Sequence, residues 1–392
     1  MKQNTKRFTT MTMIVFIIMN FVLSMSSALF SGILDKIAVD LNIPLSQTGY
    51  LTSFYAYGAG IGVPIFLIVF RKLKRAFLLK WMLLLNIVVT VLSIFSPNFI
   101  FLLLTRFLMG LTGNCYGVLA TITIASASPK ERVGKNLALL ITGSASALMI
   151  GIPFTRILSS LFSWQNIFAG LVILMLFSLI YFIFYLPDVN QDSKPLDLKT
   201  EFALFKQRNV LVVLIASLIT FIGYGAFYTY LTPYVVSMFP EFEKYMGIFL
   251  MIVGFCSFSG NLLGGFVCDR LGFYKSLLIA SIIQILISIC LFISRNIMMA
   301  NIIFILLWMI NGWFIGLQIN TAITIVTKNK SSLMISLNSS GIQLGQAIGA
   351  SIASLVISNI NMPTIVFIST ITALIVTIIL LFNQTSKNQI YI

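Results

Sequence analysis

Few residues in this chain could do chemistry out of reach of water, and their types are telling. There is no histidine, and the ten acidic residues all avoid the long apolar blocks. Asp35 and Asp40 stand at the end of the first block, Glu241 and Glu243 in a short polar connection, and the rest in other polar segments. Arg106 lies about eight residues inside a block, roughly 12 Å deep at 1.5 Å per residue. A cation at that depth is costly, so Arg106 must face a cavity or partner groups, where it can attract an anion or take part in coupling. Arg156 lies near a block end, where its side chain is expected to reach the interface. The cysteines, Cys115, Cys256, Cys268 and Cys290, form no CxxC pair. That excludes a Cys/His metal centre, and no nucleophile stands beside a base, so neither an enzyme nor a cofactor is expected.

The remaining chemistry is hydrogen bonding and stacking. Asn20, Ser27, Tyr57, Asn114, Tyr224, Tyr228, Asn311, Gln318, Asn338 and Gln343 fall within apolar blocks. An unpaired amide in hydrocarbon costs several kcal/mol, so these side chains need partners or a ligand. A cavity lined by amides and aromatics suits a neutral, hydrogen-bonding, planar or amphipathic solute.

The blocks that carry them set the fold class. Hydrophobic residues make up 59% of the chain and charged residues 9%, against about 25% charged in soluble domains. Blocks of about 20 residues match the bilayer core. Twelve spans are predicted near 9–34, 46–70, 76–96, 98–125, 135–161, 165–186, 211–238, 245–268, 275–294, 297–326, 333–358 and 362–383. The expectation is an all-α integral membrane protein of two pseudo-symmetric six-helix bundles, 1–186 and 211–392, joined by a polar linker at 187–210.

The net charge of +15 does not mark a nucleic-acid surface, because the basic residues alternate between loops. With the N-terminus inside, 20 of the 25 Lys and Arg fall in cytoplasmic segments and 3 in outer loops. The expected topology is therefore multi-pass in the cell membrane with both termini cytoplasmic. Gly143 and Gly151 are matched by Gly341 and Gly349 at an offset of 198, and Arg71 by Arg270 at 199. Such duplication suits two halves that rock about a central site, giving alternating access to a small-molecule substrate. A monomer in the bilayer is expected.

Two segments read as mechanical. Asp269-Arg270-Leu271-Gly272, followed by Lys275, joins spans 8 and 9. There Gly272 permits a tight turn and Asp269 can pair with a cation or a helix N-terminus, forming a latch. In the first half Phe70 stands in place of Asp269, beside Arg71, Lys72, Lys74 and Arg75. Span 5 carries a small-residue face with Gly143 and Gly151 and then Pro153, suited to close packing between the halves and a kink.

The chain resembles the major facilitator superfamily, and within it the twelve-span drug/proton antiporter group, in the branch of sugar-, chloramphenicol- and purine-efflux permeases. The stretches that carry this are Gly32-Ile33-Leu34-Asp35 through Leu41, Arg106 through Gly113, Gly151-Ile152-Pro153 followed by Trp164-Gln165-Asn166, the Asp269–Gly272 loop, and Ser336 through Gly349. The resemblance implies export of a small organic solute, as in drug resistance, by proton antiport through Arg106 and Asp35. Ser27 stands where many relatives carry a span-1 glutamate, so an uncoupled facilitator or an uptake carrier is the alternative.

Overall fold

The computed structural model describes residues 9–70, 73–128, 132–186, 204–327 and 331–384. Among them the regular structure is helical throughout, the form that satisfies every backbone amide within its own segment when no water is at hand. The helices are α1 Thr10–Ala28, α2 Leu34–Asp40, α3 Leu45–Thr48, α4 Tyr50–Val69, α5 Arg75–Ile94, α6 Phe99–Ala127, α7 Val133–Ser146, α8 Ile152–Leu158 and α9 Trp164–Tyr185. They continue with α10 Arg208–Thr229, α11 Leu231–Met238, α12 Met246–Ile293, α13 Met298–Val326, α14 Ser332–Asn359 and α15 Val366–Gln384. Starts are fixed by capping oxygens: Asn98 Oδ1 accepts from the Phe101 amide at 2.8 Å and Ser331 Oγ from the Met334 amide at 3.0 Å.

Ten helical stretches among the described residues are long and apolar enough to cross a membrane. One of them, Pro240–Asn296, has 57 residues, about twice the length a bilayer needs. It is broken at Gly272, whose φ of 74° and ψ of 158° lie outside the helical region. With the 20-residue α4, the set is consistent with twelve spans. Most of the predicted linker lies outside the described residues, and α10 already begins at Arg208.

Gly272 holds backbone torsions essentially reserved for glycine. Its carbonyl accepts from Ser276 Oγ at 2.8 Å, which fixes the turn. Gly272→Ala is expected to cost about 1–3 kcal/mol through strain alone. A thermal melt of the purified variant checks this, and an unchanged midpoint would refute the strain argument.

The chain divides into two compact units: Met1–Ile33 with Phe54–Lys194, and Leu34–Ser53 with Pro195–Ile392. The stretch 34–53, which the sequence division groups with the first half, packs within the second unit. There the Tyr230 hydroxyl and Ser354 Oγ both donate to the Ser46 carbonyl, the latter at 2.7 Å.

Glycines set the closest helix approaches inside each unit. A Cβ on Gly58 would overlap the Phe107 carbonyl, and one on Gly110 the Tyr55 carbonyl, so α4 and α6 touch backbone to backbone. Gly143 meets the Ile17 carbonyl on α1 and Gly151 meets Met25. These span-5 glycines therefore seat α7 and its continuation on α1 inside the first unit, correcting the expectation that they pack between halves. After Ser146 the ladder widens into a π turn, Ala147–Gly151, and Pro153 follows at the start of α8. Proline has no amide to close the next bond, so the interruption falls where the ladder is already loosened.

The repeat register also shifts. Gly260 packs on the Ile310 carbonyl as Gly58 packs on Phe107, and Gly345 on the Leu218 carbonyl as Gly143 packs on Ile17. Both glycine pairs are 202 apart, and Gly341 has nothing within 4 Å of its Cβ position. The offset of 198 thus slipped by one helical turn. Gly341, Gly345 and Gly349 recur every four residues and so look alike on a helix face.

Candidate functional site

In the first unit, the structure builds a nest around Arg106. Helix α1 stops at Ala28, so its last carbonyls lack the amides of a further turn. Arg106 on α6, fully buried, supplies the donors. Its Nη1 bonds to the Ser26 carbonyl at 3.0 Å and its Nη2 to the Ser27 carbonyl at 3.0 Å. A cation there also meets the negative end of the α1 dipole. Its planar faces are covered by Phe30 at 4.9 Å and Tyr55 at 4.6 Å from the ring centroids. The α4–α6 contact at Gly58 and Gly110 brings Tyr55 to that position.

The other first-half candidates do not join this nest. Asn20 Nδ2 donates to the Leu140 carbonyl at 2.7 Å, tying α1 to α7. Asn114 Nδ2 donates to the Ala59 carbonyl at 3.3 Å, tying α6 to α4. Tyr57 packs edge-on to Phe54 at 6.2 Å. Asp35 lies in the first turn of α2, in the second unit. Arg156 is buried at 5% exposure, so it does not reach the interface as expected. Sequence reading missed Phe30 and Tyr55, which touch Arg106 from other helices.

The second unit has a different centre. The Tyr224 ring lies stacked between Tyr228, at 5.1 Å and 22°, and Trp308, at 5.4 Å and 16°. Trp313 stands edge-on to it at 6.5 Å. Tyr224 and Tyr228 are four apart on α10, hence on one face, and Gly312 leaves room for the Tyr224 ring against α13. Trp308 is fixed from behind: its Nε1 donates to Ser369 Oγ at 3.0 Å. Gln284 Nε2 reaches the same oxygen at 3.4 Å, and Asn311 Nδ2 donates to Gln284 Oε1 at 2.6 Å and to the Ala280 carbonyl at 3.0 Å. Asn311 is thus part of the frame that holds Trp308, and Gln284 and Ser369 are members the sequence did not single out.

A narrow cavity of about 20 Å³ opens beside this frame, lined by Tyr224, Ser281, Gln284, Trp308, Ser369 and Thr372 among others. That is room for about one water molecule. Among the described residues, the buried Tyr224 hydroxyl and Trp313 Nε1 lie close to each other but make no well-formed hydrogen bond. A buried polar atom left unpaired costs about 1–3 kcal/mol, so such a pair marks a place where a ligand or solvent completes the bonding.

The remaining amides are spread along α13 and α14. Gln318 Nε2 donates to the Gly264 carbonyl at 2.8 Å, and Asn338 Nδ2 to Asn320 Oδ1 at 3.2 Å. Each keeps an unpaired carbonyl oxygen. Gln343 is half-buried on α14. At the Gly272 turn, Asp269, Arg270 and Lys275 are exposed. The Arg270 guanidinium lies over the Phe266 ring at 4.0 Å. Among the described residues no hydrogen bond or ion pair to Asp269 is seen. Among the described residues no cluster of His, Cys, Asp or Glu could hold a metal ion.

Comparison with known proteins accords with this architecture. The family model of the Major Facilitator Superfamily matches residues 16–328. The chain is 26% identical over 375 residues to the uncharacterized MFS-type transporter YbcL of Bacillus subtilis, covering 95% of this chain and 96% of that one. It is 26% identical to the inner membrane transport protein YdhP of Escherichia coli K12, covering 83% and 84%. To the probable sugar efflux transporter of Helicobacter pylori strain 26695 it is 21% identical, covering 94% and 93%. Among solved structures, that of a D-xylose-proton symporter aligns with a TM-score of 0.75 at 13% identity, covering 94% of this chain and 96% of that one. The nucleoside transporter NupG aligns at 0.73 and 13%, covering 95% and 99%.

Proposed function

Since this multi-pass membrane protein belongs to the Major Facilitator Superfamily and is a transporter, we propose that it exports a small, neutral, ring-bearing organic solute by alternating access. The observation that carries this reading is the Tyr228–Tyr224–Trp308 stack with its orphan Tyr224 hydroxyl. An aromatic face takes the ring of a sugar, a purine or a planar drug, and the hydroxyl supplies a hydrogen bond that orients it. The efflux direction and the sugar class draw support from the Helicobacter pylori relatives named as probable sugar efflux transporters. Both termini are proposed to face the cytoplasm, on the Lys/Arg asymmetry between loops. The protein is proposed to work as a monomer.

Proton coupling is proposed to run through Asp35. It stands in the first turn of α2, in the stretch that follows α1. A second reading, facilitated diffusion without coupling, is favoured by the Arg106 nest. There the cation is bonded to neutral carbonyls, and Ser27 offers a hydroxyl where a titratable acid is usual in the related group. A ligand-stabilisation screen over sugars, nucleosides and planar drugs, followed by flux in proteoliposomes, tests both. The expected result is that a pH gradient accelerates flux of the stabilising solute and that Asp35→Asn removes the acceleration but not downhill flux. Flux indifferent to the gradient would eliminate coupling, and no stabilisation by any ring-bearing solute would eliminate the substrate class.

A further inference from the structure

We infer that the second unit binds one resident water molecule in the cavity between α10, α12, α13 and α15, where it completes the hydrogen bonding of the Trp308 frame. Asn311 Nδ2 donates to two acceptors, the Ala280 carbonyl at 3.0 Å and Gln284 Oε1 at 2.6 Å. Those two bonds fix which end of each amide is the donor. Gln284 Nε2 therefore faces Ser369, and it spends one of its two hydrogens there, at 3.4 Å. Its second hydrogen meets no acceptor among the described residues. Ser369 has a hydrogen to spare for a different reason. A hydroxyl oxygen has two lone pairs, and Trp308 Nε1 at 3.0 Å and Gln284 Nε2 occupy both. The Ser369 proton has to be given away. Its other neighbour among the described residues is the Ser288 hydroxyl at 3.5 Å, farther than a well-formed O–H···O bond reaches. Two hydrogens are thus left over at the frame.

Two acceptors are left over as well. Ser281 Oγ donates to the Leu277 carbonyl at 2.7 Å and Thr372 Oγ1 to the Ile368 carbonyl at 2.9 Å. Each proton is spent within its own helix, so each oxygen offers the cavity only lone pairs. Thr372 is held against α10 because Gly223 has no Cβ; one built there would overlap Thr372 Oγ1. Gln284, Ser369, Ser281 and Thr372 all line the cavity of about 20 Å³. A buried water needs roughly 10–15 Å³ and two to four polar partners, and this place supplies both. The balance of donors and acceptors selects the occupant. A metal cation would accept neither spare hydrogen. An anion could not donate to Ser281 and Thr372, and it would be buried among neutral groups. The space holds a single oxygen, which favours free water over a hydroxyl carried on a larger molecule. With the water in place, Ser369 keeps both lone pairs for Trp308 and Gln284, and the Trp308 ring stays stacked on Tyr224 at 5.4 Å.

The test images the full chain in lipid nanodiscs at a resolution that shows ordered water. The expected result is a density peak within hydrogen-bond reach of Gln284 Nε2, Ser369 Oγ, Ser281 Oγ and Thr372 Oγ1. Absence of the peak from the unaltered protein would overturn the proposal, whatever the variants do. Thermal melts then compare T372V/S281A, which removes both acceptors, with T377V/S257A. The second pair loses the same kind of bond from the same two helices, Thr377 Oγ1 to the Ala373 carbonyl and Ser257 Oγ to the Val253 carbonyl, each 2.8 Å, and neither residue lines the cavity. T372V/S281A should melt at the lower temperature, because it strands both hydrogens of the water. An equal or higher midpoint would count against the water, since a dry cavity gains from losing polar lining. Replacing sodium by choline should leave the wild-type midpoint unchanged. A sodium-dependent rise that T372V/S281A abolishes would overturn the proposal by giving the site to a cation.

Discussion

Arg106→Met is expected to abolish transport and to destabilise the purified protein by about 2–4 kcal/mol. Methionine keeps much of the volume and can still pack between Phe30 and Tyr55, so the change isolates the guanidinium. What is lost is a pair of charge-assisted hydrogen bonds to the Ser26 and Ser27 carbonyls, each 3.0 Å long. Such bonds contribute about 1.5–3 kcal/mol apiece. Relief from the desolvation of a fully buried cation offsets part of that sum, which is why the net figure is below the total. The carbonyls left behind lie at the end of α1, where no amide of a further turn replaces the donor. Helix α1 should then fray at its last turn, and the connection to α2 loses its fixed starting point. Arg106→Lys separates charge from geometry: it keeps the cation but cannot fork to both carbonyls, so it should fall between wild type and Met in melting midpoint. Midpoints and proteoliposome flux are measured on the same preparations. A Met variant with wild-type midpoint and flux would show that the nest is dispensable. A Met variant that melts early yet transports would confine Arg106 to holding α1.

How much of this was legible in the sequence depends on the range of the interaction. Span positions follow from apolar runs of bilayer length, and the Gly272 turn from a glycine placed between two such runs. Arg106 stands out because a cation within a span has to be explained by its surroundings. Its partners do not stand out. Phe30 and Tyr55 are ordinary aromatic residues until α4 and α6 meet at Gly58 and Gly110, and that contact joins residues about fifty positions apart. The repeat shows the limit from another side. Glycines recurring every four residues match equally well one turn out of register, and only the carbonyl each one touches picks Gly345 over Gly341. At an offset of 202, Gly58 aligns with Gly260, Gly62 with Gly264 and Gly110 with Gly312. Gln284 and Ser369 were hidden for a related reason. A glutamine and a serine in apolar helices look like tolerated polar residues until both are found on one side of Trp308.

Trp308 carries the second large effect. Trp308→Ala is expected to cost about 3–5 kcal/mol, because the side chain is fully buried and its removal leaves a cavity beside one already present. Tyr224 would lose the ring stacked at 5.4 Å and Phe227 the ring at 4.8 Å. Ser369 would lose its 3.0 Å donor, which frees Gln284 and Asn311 from the frame. Loss of flux in this variant alone would not separate folding from solute binding. Tyr224→Phe separates them. The hydroxyl it removes makes no well-formed hydrogen bond among the described residues, so its loss should leave the melting midpoint unchanged or slightly higher, since a poorly paired buried polar group is itself a cost. If that hydroxyl orients the solute, the same variant should weaken ligand-induced stabilisation by about tenfold in apparent affinity, the effect of one hydrogen bond of about 1.4 kcal/mol. Full stability with weakened binding assigns Tyr224 to the solute. Full stability with unchanged binding would make the stack part of the core and move the binding surface to the unpaired oxygens of Gln318 and Asn338.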